Sequence, residues 1–286
     1  MTLKEQVLIV GLGEVGHPLY DIVKSSAKFD VYGSDIDKKR LQEITGKTEQ
    51  PKTVDVMHIC YPCTQQDKFV QTTIDYIRAI KPKLTIIEST VPPGTTQKIH
   101  ALSKSAVANS PIRGMHKSLE TMKRDMLYWT KYVGGTTEES ADAARKHFEK
   151  LSLKVKVLKG SAEAELAKLF ETTYRAWMVA CFQEMHRISR HFGADFDDVV
   201  DMLEDIHRVR FNKPLHFPGV IGGHCLIPNV ELLLSVYDSE FLHLILESNE
   251  KRKEEIKDKT VAKEIEKVEK RTKALEEDLK KLAPET

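Results

Sequence analysis

The chain of 286 residues sets 44 lysines and arginines against 43 aspartates and glutamates, a formal net charge of +1, and is 41% hydrophobic. That balance provides no global field toward nucleic acid or a membrane surface, and the length allows a sizeable core shared between two domains. No apolar run is long enough to span a bilayer, Met1-Thr-Leu-Lys-Glu5 leads into a strand without a signal peptide, and Cys60, Cys63, Cys181 and Cys225 form no secreted disulfide pattern. A cytoplasmic protein is therefore expected. The eleven histidines contain no HExxH and no ligand cluster, so no metal is expected.

Val7 to Val10 reads as a buried strand, and Gly11-Leu-Gly13-Glu14-Val15-Gly16 follows at once. His17, Pro18 and an apolar-periodic helix through Leu19, Ile22 and Val23 come next, then a second strand from Asp30 to Ser34 that ends at Asp35. Strand, glycine turn, helix, strand and acid in that order make the dinucleotide-binding fingerprint. Gly11, Gly13 and Gly16, with Glu14 and Val15, would present backbone N–H groups to a pyrophosphate at the helix start, and Asp35 would accept from the adenosine ribose. The Asp35 carboxylate repels a 2′-phosphate, so NAD is the expected cofactor rather than NADP.

The alternation continues. Val54 to Cys60 reads as a strand, Phe69 to Ile80 as a helix, and Leu84 to Ile87 as a strand running into Glu88-Ser-Thr90-Val-Pro-Pro-Gly-Thr-Thr96. Cys60-Tyr61-Pro62-Cys63 has redox spacing, but at a strand end two incidental thiols are the preferred reading. Tyr132 and Val133 precede Gly134-Gly135, Ser140 to Leu151 reads as a helix, and Lys154 to Leu158 as a strand. The expected fold class is α/β, a Rossmann-type doubly wound parallel sheet over residues 1–158. Ligands bind beyond the carboxyl ends of such strands, which puts Tyr61, Pro62, Thr90 and the Ser110 to His116 segment on the cofactor side.

Gly160 to Lys168 opens a helix expected to reach about His191, with Gly193 as its stop. Leu166, Leu169, Phe170, Tyr174, Trp177, Met178, Cys181, Phe182 and Met185 give it a broad apolar face, suited to burial between layers or to a homodimer through residues 161–192. Phe196 to Leu203 reads as a short helix before a basic stretch with His207, Arg208 and Arg210. The loop Pro218-Gly-Val-Ile-Gly-Gly-His-Cys225 then ends on a thiol just before a helix expected from about Asn229. Two readings of Cys225 stand at this point: a buried cysteine behind a Pro/Gly turn, or a thiol activated by the positive end of a helix. An all-helical domain over 159–248 is expected to carry this loop.

Taken together, Gly11 to Leu19, Glu88 to Thr96, Ser110-Pro111, Lys168-Leu169 and Pro218 to Cys225 resemble the UDP-glucose/GDP-mannose dehydrogenase family in order and spacing over roughly residues 3–235. The resemblance implies oxidation of a sugar-nucleotide primary alcohol, in two hydride transfers to NAD, with a cysteine holding the intermediate as a thiohemiacetal and then a thioester. It implies that Cys225 is the nucleophile, that Lys168 stabilises oxyanion charge or relays a proton, and that Thr90 positions water and substrate.

Three positions depart from the family's pattern. The asparagine usual after the lysine is Thr172, the aspartate usual after the cysteine is Asn229, and the glutamate of the Ser/Asn-Pro-Glu loop is Ile112. His116 stands about where a second loop carboxylate often sits, as a base near neutral pH or as a surface residue. These changes strike the hydrolytic half of the reaction harder than hydride transfer. From residue 249 the composition turns to Lys and Glu, with Val261, Ile265, Val268, Thr272, Leu275, Leu279 and Leu282 in an a/d seam. The expectation is one long tail helix packing on a partner helix, in a chain truncated before the family's nucleotide-sugar-binding domain. The preferred function is an NAD-dependent dehydrogenase acting on a small-molecule alcohol or aldehyde, with a sugar nucleotide among the candidate substrates. Two rivals stand beside it: a two-electron enzyme like the β-hydroxyacid dehydrogenases using Lys168, and a catalytically lapsed NAD-binding scaffold.

Overall fold

In the computed structural model, residues 4–46, 51–114, 118–210 and 217–282 are described below. The chain divides into two compact units, residues 1–169 and 170–286.

The first unit is built on a seven-stranded sheet of order β2-β1-β3-β4-β5-β6-β7. Its strands are β1 (Glu5–Val10), β2 (Phe29–Ser34), β3 (Val56–Ile59), β4 (Leu84–Ile87), β5 (Val107–Asn109), β6 (Lys131–Gly135) and β7 (Val155–Val157). Between them run α1 (Gly16–Ser25), α2 (Lys38–Thr45), α3 (Gln66–Ile80), α4 (Thr95–Ser103), α5 (Leu119–Tyr128) and α6 (Glu138–Lys150). The central strands are continuous apolar runs because both faces are covered, and Val7, Leu8, Ile9, Met57, Ile86 and Ile87 are wholly buried. All pairings are parallel except β5 with β6, where Ala108 faces Gly135 in antiparallel register. That exception corrects the all-parallel expectation, since apolar periodicity does not report strand direction. The sheet order reverses between β1 and β3, which is the switch point where α/β sheets take their ligands.

Helix α7 (Ser161–His191) spans the residues its start and stop signals foretell, and Gly193 beyond it is left-handed at φ 69°. The division between units falls within α7 rather than at 158, because its first turns are tied to the first unit by Glu165, as described below.

The second unit continues with α8 (Phe196–Arg210), α9 (Leu226–Leu234), α10 (Glu240–Glu255) and α11 (Lys259–Leu282). Helix α8 is longer than expected, so His207, Arg208 and Arg210 are helical rather than in a following stretch. The tail is two helices, with Thr260 N donating to Asp258 Oδ1 at 2.7 Å at the start of the second. Its seam is satisfied within the chain. Val268 and Leu275 of α11 pack with Phe196 and Val200 of α8, and Phe182, Met185 and Phe217 flank them. Arg271 reinforces this by pairing with Asp197 at 2.7 Å and Glu204 at 2.9 Å, and with Asp201. The seam residues Val261, Ile265 and Thr272 are buried too, whereas the side chains of Leu279 and Leu282 fall outside the described residues. A heptad pattern foretells that a helix will be met, not which one.

Candidate active site

The glycine turn leaves β1 and is pinned by Gly11 N donating to Ser34 O at 2.8 Å. Gly11 has φ 88°, and a Cβ there would stand 2.7 Å from Tyr61 N. At Gly16 a Cβ would meet Gly11 O at 1.7 Å, so strand and helix approach only because both residues are glycine. Gly13 differs: a Cβ there meets nothing within 4 Å, so its openness faces free space rather than packing. Val15 at the start of α1 makes no side-chain cap, and Gly13 and Glu14 are exposed. Uncapped N–H groups beside an open glycine fit a pyrophosphate.

Asp35, at the end of β2, accepts from Leu12 N at 2.7 Å and from Asp37 N at 2.8 Å, with Arg40 at 3.6 Å. The carboxylate therefore braces the glycine turn itself. Ile36 beside it is 98% exposed, an isolated apolar side chain open to solvent. Sequence reasoning missed Ile36, although a lone isoleucine between two aspartates was its signal.

Tyr61 and Pro62 leave β3 against the glycine turn. Tyr61 Oη shares a hydrogen bond with Thr73 Oγ1 at 2.7 Å, and burial raises its pKa despite that bond. Ser89 Oγ donates to Tyr61 O at 2.7 Å and to Ile59 O at 3.1 Å, tying the turn after β4, where Thr90 is half-buried, to the turn after β3. Burial pushes the Cys63 thiol up to about 11 and raises Cys60 well above its ordinary value. Neither is a thiolate at neutral pH, in keeping with incidental thiols.

The segment Glu88 to Thr96 does more architecture than its composition suggests. Glu165, on the first turns of α7 and 1% exposed, accepts from Gly94 N at 2.7 Å, Thr96 N at 2.8 Å and Thr96 Oγ1 at 2.6 Å. It is the cap of α4, supplied from elsewhere in the chain. Burial raises its pKa, against the bonds from Thr96 and Gly94 that pull it down. Behind the turn, Glu88 accepts from Lys131 Nζ at 2.5 Å and pairs with His58 Nδ1 at 2.9 Å, and His58 Nε2 meets His147 Nε2 at 2.9 Å. Burial works to raise the Glu88 carboxyl, but Lys131 and His58 outweigh it and hold it below the usual range. Lys131 also donates to Ser110 O at 2.7 Å, and Ile112 N donates to Glu88 O at 3.1 Å. This network fixes the loop from Ser110. Ile112 is buried in the core of the unit, which accounts for an apolar residue there. His116 lies outside the described residues, and Lys168 is half-buried on α7 in the first unit.

In the second unit Cys225 is the N-cap of α9, a turn earlier than the expected start at Asn229, and it is half-buried. Pro228 falls in the first turn of α9, where a missing N–H costs little. Gly222, Gly223 and His224 before the thiol are exposed, and Gly223 is left-handed at φ 81°. Asn229 is 6% exposed and donates through Nδ2 to Thr172 Oγ1 at 2.7 Å. The structure thus joins Thr172 and Asn229, two positions that sequence reasoning treated as separate departures.

Residues 162–251 match the family model described as UDP-glucose/GDP-mannose dehydrogenase family, central domain. A UDP-N-acetyl-D-mannosamine dehydrogenase of Methanocaldococcus jannaschii is 31% identical over 261 residues, covering 78% of this chain and 60% of that protein. Residues 162–251 carry the central domain of the UDP-glucose/GDP-mannose dehydrogenase family. It spans about three fifths of the length of the curated relatives it matches. The structure of the UDP-D-ManNAc dehydrogenase from Pyrococcus horikoshii is similar with a TM-score of 0.70 at 24% identity, covering 86% of this chain and 68% of that one. A 3-hydroxyisobutyrate dehydrogenase of Mycobacterium tuberculosis gives 0.66 at 16% identity, covering 90% and 95%. The last two comparisons speak to the fold, which members of the family share with shorter dehydrogenases.

Proposed function

We propose that this chain oxidises the primary alcohol or aldehyde of a nucleotide sugar in an NAD-dependent reaction, with Cys225 as the covalent nucleophile. The carrying observation is the placement of Cys225 as the cap of α9 at the end of an exposed glycine loop. The N-terminal end of a helix favours negative charge, and the thiolate is the nucleophilic form. The first unit supports the cofactor: Gly13 is open, the start of α1 is uncapped, and Asp35 and Ile36 suit a ribose and an adenine. Bound NAD supplies the acceptor for the hydride that the substrate carbon loses at each oxidation. The Cys225 thiolate adds to the aldehyde carbon, giving a thiohemiacetal whose oxidation leaves a thioester, and water then releases the acid and returns the thiol. Lys168 is proposed to stabilise the oxyanion and Thr90 to position water. Neither Thr172 nor Asn229 is a base, so hydrolysis is the slow step.

A homodimer through α7 is part of the same proposal. Phe170, Tyr174 and Trp177 are exposed at helical spacing, and Trp177 meets Phe241 edge-on at 4.0 Å, which extends the apolar face onto α10.

The test is NADH formation with UDP-N-acetyl-D-mannosamine, UDP-glucose and smaller hydroxy compounds, read beside mass spectrometry of the protein. The expected result is NADH with a nucleotide sugar, an adduct on Cys225, and loss of acid formation in Cys225→Ser. Full activity in Cys225→Ser with loss in Lys168→Ala would replace this reading by the two-electron reaction. NAD binding without turnover of any substrate would favour the scaffold.

A further inference from the structure

The loop that carries Cys225 is held by side-chain amides from two helices. Gln183 of α7, wholly buried, donates through Nε2 to Gly219 O at 2.5 Å. Asn249 of α10, 2% exposed, accepts from Ile221 N at 2.7 Å through Oδ1 and turns Nδ2 toward Ile221 O at 3.4 Å. The two amides thus grip the loop backbone at residues two apart, just upstream of the exposed glycines.

The grip is itself anchored. Ser248 Oγ donates to Gln183 Oε1 at 2.7 Å, which fixes the flip of that amide, and Arg252 Nη2 donates to Gln183 O at 3.0 Å. Arg252 is wholly buried and also reaches His186 Nδ1 at 3.1 Å, while His186 Nε2 meets Glu264 of α11 at 2.7 Å. A guanidinium only donates, so His186 Nδ1 accepts and its Nε2–H donates to Glu264. An apolar anchor runs in parallel: the Phe217 ring packs with Val268 and Leu275 of α11 and lies where a Cβ on Gly219 would stand, 2.4 Å from Phe217 Cε2.

We propose that Gln183 and Asn249 are positioning residues for Cys225, through which α10 and α11 set where the sulfur sits. The inference rests on the reading of Cys225 as nucleophile for its catalytic consequence, but not for its geometry. A hydrogen bond to a fully buried amide costs too much to break for it to be incidental to the loop. The charged C-terminal segment, expected from its heptad seam to pack on a partner helix, is on this account the frame of the thiol loop.

The experiment compares the parent chain with Asn249→Leu, Asn249→Asp and Gln183→Met. Three quantities are read: kcat and KM for NAD, the iodoacetamide rate at Cys225 by peptide mass spectrometry, and hydrogen exchange of the 218–225 peptide. Asn249→Leu is expected to lower kcat about tenfold to a hundredfold, the scale of a small misplacement of a reacting group. KM for NAD should stay within about twofold, because the dinucleotide fingerprint is in the other unit. Exchange in the 218–225 peptide should rise, and the Cys225 alkylation rate should shift by at least about threefold, a change that general destabilisation would spread over every peptide. Asn249→Asp keeps the oxygen that accepts from Ile221 and should recover most of the loss. If Asn249→Leu does not fold, Gln183→Met and Asn249→Asp carry the same comparison. Parent values for kcat, alkylation and exchange in a folded Asn249→Leu or Gln183→Met overturn the proposal. If the parent oxidises no substrate, the reading of function fails while alkylation and exchange still decide the positioning.

Discussion

Replacing Glu165 with alanine tests how far the first unit depends on a cap brought from α7. The carboxylate takes three donors, Gly94 N, Thr96 N and Thr96 Oγ1, at 2.6–2.8 Å in a site 1% exposed. The threonine hydroxyl can turn to another acceptor, but the two backbone N–H groups cannot. Thr96 N is buried and costs about 1–3 kcal/mol when orphaned, whereas Gly94 is exposed and its N–H can be met by water, so the expected loss is about 1–3 kcal/mol. Glu165→Gln should cost less, because one amide oxygen can still serve one N–H while its NH2 confronts the other. The two tryptophans fall one in each unit, Trp129 and Trp177, so a Trp177→Phe background leaves Trp129 as the reporter of the first unit. Urea unfolding followed at Trp129 should show a lowered midpoint with an unchanged slope. A change below about 0.5 kcal/mol, the size of an ordinary surface substitution, would refute the cap.

Asp35→Asn should weaken NAD about tenfold or more, the scale of a lost charged hydrogen bond, and weaken NADP less; equal losses for the two cofactors would count against a ribose contact. Ending the chain after Ser248 removes Asn249, Arg252 and the buried Val261, Ile265, Val268 and Leu275, aliphatic side chains that each contribute about 1.5–3 kcal/mol. Trp177 fluorescence in that shortened chain should show no cooperative unfolding, whereas a retained transition would mean that the segment is dispensable. Burial lowers the His186 pKa, as do Arg252 and Arg190, against Glu264, with the Phe196 ring at 5.0 Å on the remaining side. A histidine held neutral in the fold binds more protons when unfolded, so this contribution is present above about pH 6.5 and fades as pH falls through that value. The second unit should therefore lose stability below about pH 6.5, and His186→Gln should flatten the slope. An identical slope in the variant would assign the acid sensitivity elsewhere.

What the sequence disclosed was what backbone geometry demands locally. Gly11 and Gly16 are legible because any side chain would strike Tyr61 N or Gly11 O, and α7 is legible because its start and stop are chemical signals. What stayed hidden was long-range pairing. Strand β6 pairs antiparallel with β5 and parallel with β7, and nothing in its own residues reports either direction. Glu165 stands in an acidic helix start that reads as solvated, yet it is among the most buried carboxylates described. Gln183 and Asn249 sit in helical stretches with no motif around them, and only the fold brings both to one loop. The a/d seam was visible, but its partner α8 was itself read too short, so the match within the chain could not be seen.

The contact between Thr172 and Asn229 bears on why the hydrolytic half is proposed to be the slow one. Asn229 donates an N–H, so the Thr172 hydroxyl accepts in this pair. A hydroxyl is equally able to donate, and a carboxylate can only accept. Exchanging Asn229 for aspartate keeps a bond between the two possible, now with the Thr172 O–H as its donor. Asn229 N already donates to Cys225 O at 3.0 Å, one turn along α9, so the new carboxylate would stand one helical turn from the thiol-bearing residue. At that position a carboxylate can accept a proton from water attacking a thioester, which an amide cannot. Asn229→Asp should hence speed release of the acid without changing the first hydride transfer, read as NADH formed per substrate consumed together with decay of the Cys225 adduct. An adduct that persists unchanged, in a variant that still folds and binds NAD, would show that the missing base is not what limits hydrolysis.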